Sequence, residues 1–148
     1  MAIYLSNTIA SSAACANLNL DQLVEDFSWW KADEGRINQS YMFGRDNPYS
    51  EPVVEGQKYV LRHVHVIPLA SSVDMERWNA VWRRKGEKKS DRALIYASCI
   101  SGYDYLLIHF LNEPGAHLRA RKEMKMMRHF TRQALAFRDG DRSACMAA

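Results

Sequence analysis

The sequence predicts an α+β protein, an antiparallel sheet with an N-terminal helix packed on it and a C-terminal amphipathic helix. Three observations lead there. At about 100° per residue, Met126, Met127, Phe130, Ala134 and Phe137 share one sector of a helix over 122–138, with Lys125, Arg128, His129 and Arg132 opposite. Two apolar runs, Ala93–Cys99 and Tyr103–Leu111, flank Ser101-Gly102 as a hairpin. The patterns follow one another as strand, helix, loop, three strands with a short helix after the first of them, and a final helix, which is an α+β order. Helices on one side of the sheet complete the expected layout.

Ile3 to about Ile9 alternates weakly and is read as a first strand. A helix follows. Asn19 caps it, Gln22 takes the third helical position, and Leu18 and Leu23 form a hydrophobic staple. Leu20, Leu23, Val24, Phe27 and Trp30 recur at helical spacing, and Gly35 ends the run. Trp29 and Trp30 are adjacent, so one of them must leave the core. Residues 35–56 are loop-rich, with Phe43-Gly-Arg-Asp46, Asn47-Pro-Tyr49 and Glu51-Pro52. Lys58–Leu69 reads as a strand that places Leu61, His63 and His65 on one face and Val64 and Val66 on the other. Residues 70–72 form a turn. Val73–Arg84 is a short helix carrying Trp78 and Trp82, and a basic loop, Arg83 to Ser90, overlaps its end. Residues 1–138 are expected as one domain and 139–148 as a disordered tail.

Composition narrows the class. The chain has 148 residues, 47% hydrophobic and 25% charged, which suits a soluble globular protein with a real core. No apolar run approaches a membrane span, and the first residues lack the basic and apolar regions of a signal peptide. Cys15, Cys99 and Cys145 are widely spaced and odd in number, which suggests a reducing cytoplasm without a disulfide framework. Residues 1–58 carry four Lys/Arg against eight Asp/Glu, and residues 59–148 carry sixteen against nine. Such asymmetry argues for a polyanion-facing second half.

The chemistry-bearing segment follows the last strand. Asn112-Glu-Pro-Gly115 breaks the strand and Ala116-His-Leu-Arg-Ala-Arg121 leads into the helix. One histidine and two arginines just off a strand end are what phosphodiester cleavage requires, a group to move a proton and cations to hold a phosphate. His117 is the first candidate for proton transfer, because imidazole titrates near neutrality. Arg119 and Arg121 are candidates for a phosphate clamp. The same residues also suit a helix start with a capping histidine. His63 and His65 share a strand face with the H-x-H spacing of metal ligands, but no third ligand is marked, so no metal and no cofactor are expected. His109 is read as structural, and Tyr96 suits either a base-stacking platform or the core.

Phe43-Gly-Arg-Asp46, Arg62-His-Val-His65, Leu94-Ile-Tyr96, Leu106-Leu-Ile108, the His117-x-x-Ala-Arg121 segment and Ala136-Phe-Arg138 resemble, in order and spacing, the YafO family of bacterial toxins from type II toxin–antitoxin systems. The resemblance covers roughly Asp21 to Arg138. It implies a RelE-like fold and a ribosome-dependent endoribonuclease, an mRNA interferase that cuts translated mRNA and is neutralised by a cognate antitoxin. It ranks His65 above His63 and Arg121 above Arg119 in a catalytic set of His117, Arg121, His65 and Arg119. The basic runs, read by their charge, give Arg45, Arg83, Arg84, Lys85, Lys88, Lys89, Arg92, Lys125, Arg128 and Arg132 as the surface expected to face RNA and the ribosome, and leave Trp29 and the acidic half as candidate antitoxin contacts. Val73 to Ser90 has no counterpart in the family pattern, and the first strand matches it poorly. Two rivals remain on the same fold: a non-cleaving ribosome- or nucleic-acid-binding toxin, and a ParE-type topoisomerase poison.

Overall fold

In chain order the elements are β1 (Ile3–Leu5), α1 (Ile9–Cys15), α2 (Leu20–Ala32), β2 (Phe43–Pro48), β3 (Arg62–Val66), α3 (Ser72–Arg83), β4 (Ala93–Ser98), β5 (Tyr105–Leu111), α4 (Ala116–Lys122), α5 (Met124–Arg138) and β6 (Met146–Ala147). They come from a computed structural model that describes residues 1–33, 40–69 and 72–148. Gly35 and most of the turn expected at 70–72 lie outside the described residues. The fold is α+β, built on one open six-stranded sheet in the order β2-β3-β4-β5-β1-β6. β2 to β5 form an antiparallel meander, whereas β1 lies parallel to β5, so the sheet is mixed rather than purely antiparallel. No hairpin ties β1 to its successor: α1 and α2 separate it from β2 at the opposite edge, which leaves its direction free.

The helices cover both faces of the sheet, not one as the sequence suggests. The central strands dictate this, being apolar on both sides. Leu94, Tyr96, Leu107 and Phe110 pack with Leu23, Phe27 and Trp30 of α2 and Ile9 of α1. Ile95, Ala97, Leu106 and Ile108 pack on the other face with Ala116 and Ala120 of α4 and Met127, Phe130, Ala134 and Phe137 of α5. Phe27 is the hub of the first layer, edge-on to Trp30, Phe43, Tyr96 and Tyr105 with ring centroids 5.1–6.1 Å apart. Truncating it to alanine should cost about 3–5 kcal/mol. Trp30 is buried while Trp29 stands 74% exposed, as their adjacency requires.

Other expectations shift. Ile9 belongs to α1, a helix of small residues, and not to a first strand. β2 lies inside the stretch read as loop; an edge strand tolerates Pro48, and Gly44 lets another segment approach. An added Cβ at Gly44 would sit 2.2 Å from the Lys88 carbonyl oxygen, which accepts from Arg45 N–H at 2.8 Å. The last helix begins earlier than 122 and breaks at Glu123, so His117 lies in the first turn of α4. The segment expected as a disordered tail carries β6, paired with β1. The Arg142 guanidinium holds that segment down, 3.8 Å from the Phe137 ring centroid and donating to the Phe137 carbonyl at 2.6 Å. Among the described residues no helix is long and apolar enough to cross a membrane.

Candidate functional site

Alternation along β3 turns His63 and His65 toward the α4–α5 face, opposite Ile95 and Ala93 of β4. After β5 the chain turns at Gly115, whose φ of +93° opens α4 and brings His117 over them. Ring nitrogens of His63, His65 and His117 lie within 4.8 Å of one another. Two consecutive residues, Ser90 and Asp91, hold this cluster from the segment before β4. The Ser90 N–H donates to His65 Nδ1 at 2.9 Å. Asp91 accepts from the Gly115 N–H, from the His117 N–H at 3.1 Å and from His117 Nδ1 at 2.9 Å. The two rings meet at Nε2···Nε2, 3.2 Å apart.

Those contacts fix the protons. An amide N–H can only donate, so His65 Nδ1 carries a lone pair and its neutral ring holds the proton on Nε2. That Nε2–H donates to His117 Nε2. His117 then keeps its own proton on Nδ1, directed at the Asp91 carboxylate. Burial, with the nearby His117 second, lowers the pKa of His65 to about 3, and the same two causes lower His63 to about 4. Burial alone would raise Asp91, but hydrogen bonds from the His117 ring and from the Gly115 and His117 amides outweigh it and hold the carboxyl below its ordinary range. His63 stacks on Tyr49, centroids 4.1 Å apart, and its buried Nδ1 has no hydrogen-bond partner among the described residues.

The spacing of the three rings would admit a divalent ion, but their polarity opposes one. A ligating histidine normally donates its second N–H to a carboxylate or carbonyl. His117 does so toward Asp91. His65 instead accepts from Ser90, which places a proton on the nitrogen that faces the cluster.

Two clefts open on either side of His117. The larger, about 840 Å³, lies between the cluster and α3 and is lined by His65, Arg77, Arg84, Glu87, Lys89 and Glu113 among others. The smaller, about 460 Å³, is lined by Tyr49, Ser50, Glu51, His63, Ala120 and Arg121. The structure thus brings together His117, His65 and Arg121 of the expected catalytic set and adds His63. Arg119 turns away, ion-paired with Glu123 at 3.2 Å.

The expected cationic surface divides. Arg83, Lys85, Lys125, Arg128 and Arg132 are exposed, Arg84 and Lys89 border the larger cleft, and Arg45 pairs with Glu87 at 3.1 Å. Lys88 and Arg92 point inward and so do not belong to an RNA face. Lys88 Nζ donates to the Ser40 carbonyl at 2.7 Å over the Trp78 and Trp82 rings, and burial lowers its pKa to about 8. Arg92 donates to the Ile67 carbonyl at 2.7 Å and to Asn112 Oδ1 at 3.0 Å. Tyr96 belongs to the core on the opposite face, where Lys31, Asp46 and Arg62 converge on its hydroxyl. His109 is held between Thr8 Oγ1, at 3.3 Å, and the Phe130 ring. Sequence reasoning missed Ser90, Asp91 and Tyr49; the only trace of Asp91 in the sequence is a carboxylate closing a basic run.

A family model described as the toxin YafO of type II toxin–antitoxin systems matches residues 28–139. No curated protein and no solved structure matches the chain at a significant level.

Proposed function

The chain belongs to the YafO toxin family of type II toxin–antitoxin systems, and on that premise we propose that it is a ribosome-dependent endoribonuclease cutting translated mRNA in the cytoplasm. Membership implies a cognate antitoxin as partner. The observation that carries the proposal is the directed chain Ser90 N–H to His65, His65 to His117, and His117 to Asp91. It leaves His117 neutral, with its Nε2 lone pair at the junction of the two clefts.

In this reading His117 Nε2 removes the proton from a ribose 2′-hydroxyl, which then attacks the adjacent phosphorus. Asp91 balances the imidazolium that forms. His65 takes a different role from the one its sequence suggests. A group with pKa about 3 holds no second proton near neutrality, so it acts as a neutral N–H donor to a phosphate oxygen. Arg121, exposed at the mouth of the smaller cleft, supplies the positive charge that the pentavalent transition state needs. The 5′-oxygen departs from the opposite apical position, on the side of the larger cleft, and takes its proton from solvent there. Exposed cations on α5 and at the end of α3 would hold ribosomal RNA through phosphates, a binding term that weakens steeply with salt.

The test is to map mRNA 5′ ends after adding the purified protein to a reconstituted translation mixture and, in parallel, to the same mRNA without ribosomes. New ends that need ribosomes and disappear with His117→Ala and Arg121→Ala are the expected result. Halted translation without new ends would replace cleavage with a blocking activity.

A further inference from the structure

We propose that the smaller cleft is a guanine subsite, holding the base of the nucleotide that carries the attacking 2′-hydroxyl. This rests on the nuclease reading for the identity of that nucleotide, though not for the binding itself. The cleft has a flat aromatic platform. Tyr49 lies against His63 with an interplanar angle of 19°, and its backbone is fixed on both sides, its N–H on the Leu61 carbonyl and its carbonyl on the Tyr59 N–H. Single-stranded RNA is recognised by stacking unpaired bases on such rings and reading their Watson–Crick edges.

Two charged groups complete the cleft. Glu51 and Arg121 line it, both are exposed, and neither makes a side-chain hydrogen bond or ion pair among the described residues. A carboxylate accepts two parallel hydrogen bonds. Guanine presents two adjacent donors on its Watson–Crick edge, N1–H and the N2 amino group. Adenine and cytosine place one donor beside an acceptor, and uracil sets a single N–H between two carbonyls. Only guanine matches Glu51 with two bonds.

Position fixes which nucleotide is held. His117 forms the rim shared by both clefts. A guanosine seated on Tyr49 leaves its ribose at that rim, with the 2′-hydroxyl toward His117 and the 3′-phosphate toward Arg121. The chain beyond the phosphate then runs into the larger cleft beside α3.

The experiment needs neither ribosomes nor cleavage. The full chain is titrated calorimetrically with guanosine 3′-monophosphate and with its adenosine, cytidine and uridine counterparts. The guanosine nucleotide should bind about tenfold or more tightly than the others, the discrimination expected of one bidentate base contact. Glu51→Gln, on an exposed residue, should erase that preference at an unchanged melting temperature, and Tyr49→Leu should weaken all four nucleotides. Equal affinities, no measurable binding, or a guanine preference that survives Glu51→Gln would each overturn the subsite. The two readings fail separately. Guanine binding without mRNA cleavage removes the nuclease and leaves the base pocket. Cleavage with no bias for guanosine at the position just upstream of the mapped 5′ ends removes the pocket and leaves the nuclease.

Discussion

Asp91→Asn isolates the catalytic argument. The carboxylate receives three donors, the Gly115 amide on one oxygen and the amide and Nδ1 of His117 on the other. An asparagine cannot serve all three. With its amide nitrogen toward Gly115, α4 loses its first anchor and the ring bond becomes a neutral one. Turned the other way, the amide donates to His117 Nδ1 and moves the ring proton to Nε2, where it meets the His65 proton head on. Either way the negative charge opposing the imidazolium is gone. Hydrogen bonds to charged groups contribute about 1.5–3 kcal/mol, which corresponds to roughly 10- to 150-fold in rate. The side chains of both partners are about two-fifths exposed, 40% and 42%, so the lower half of that range applies. We expect a loss of about 30-fold in kcat with KM unchanged, read by single-turnover cleavage of a defined mRNA on programmed ribosomes. Asp91→Asn added to His117→Ala should cost little more in kcat, because the charge of Asp91 reaches the reaction through that ring and only its hold on the Gly115 and His117 amides remains to be lost. A single Asp91→Asn variant within threefold of the parent would refute the role assigned to the chain of hydrogen bonds.

Four further outcomes follow from the geometry. Tyr96→Phe removes the hydroxyl that accepts from Lys31 Nζ at 2.8 Å and donates to Asp46 at 2.7 Å, and should cost about 1.5–3 kcal/mol in urea unfolding while leaving cleavage per folded molecule intact. Gly44→Ala drives a Cβ against the Lys88 carbonyl and should cost about 1–3 kcal/mol, seen as a fall in melting temperature, because the obstacle is backbone and cannot swing away. Arg121→Ala should lower kcat about 10²–10³-fold, whereas Arg119→Ala, which breaks only an exposed pair with Glu123, should stay within about threefold; equal effects would misplace the phosphate. His63, His65 and His109, at about 4, 3 and 4 against an ordinary 6.5, stay neutral in the fold at pH values where the unfolded chain takes up protons. Stability is therefore complete above pH 6.5 and falls as pH drops from 6.5 toward 4, with a slope approaching about three protons per molecule; a flat urea midpoint across that range would contradict the burial of these rings.

Periodicity and capping carried most of the layout. Asn19 Oδ1 does accept from the Gln22 N–H, at 3.0 Å, and α2 starts where that motif places it. The β4–β5 hairpin and the buried face of α5 also follow their patterns within a residue or two at most boundaries. What failed was local chemistry that means different things in different places. Gly44, Asp46, Asn47 and Pro48 are turn residues by type, yet they form an edge strand whose other side receives residue 88 through the Arg45 amide. The seven residues of α1 are too few to show a helical period. In the site, His117, His65 and Arg121 were legible as residues that bear chemistry. Asp91 lies 26 positions from His117, and nothing local marks that pairing. Lys88 and Arg92 read as surface cations because their partners, the Trp78 and Trp82 rings and the Ile67 carbonyl, are brought to them only by the tertiary fold.

The basic loop expected to face RNA, together with the aspartate that follows it, is therefore what organises the site. Lys88 anchors it inward, Gly44 lets it lie close to β2, and Ser90 and Asp91 reach the two ends of the histidine pair. A backbone donor at one end and a carboxylate acceptor at the other leave a single arrangement of protons between them. In the free protein the facing Nε2 atoms satisfy each other across 3.2 Å. When RNA enters, that one contact opens and presents a complementary pair, an N–H from His65 for a phosphate oxygen and a lone pair from His117 for the 2′-hydroxyl. Opening it exchanges one neutral hydrogen bond for two bonds to the substrate, so the resting state satisfies the cluster without competing strongly with RNA. Reversing either end, at Ser90 or at Asp91, would give both rings the same polarity at the junction, and the pair would then oppose both itself and the substrate.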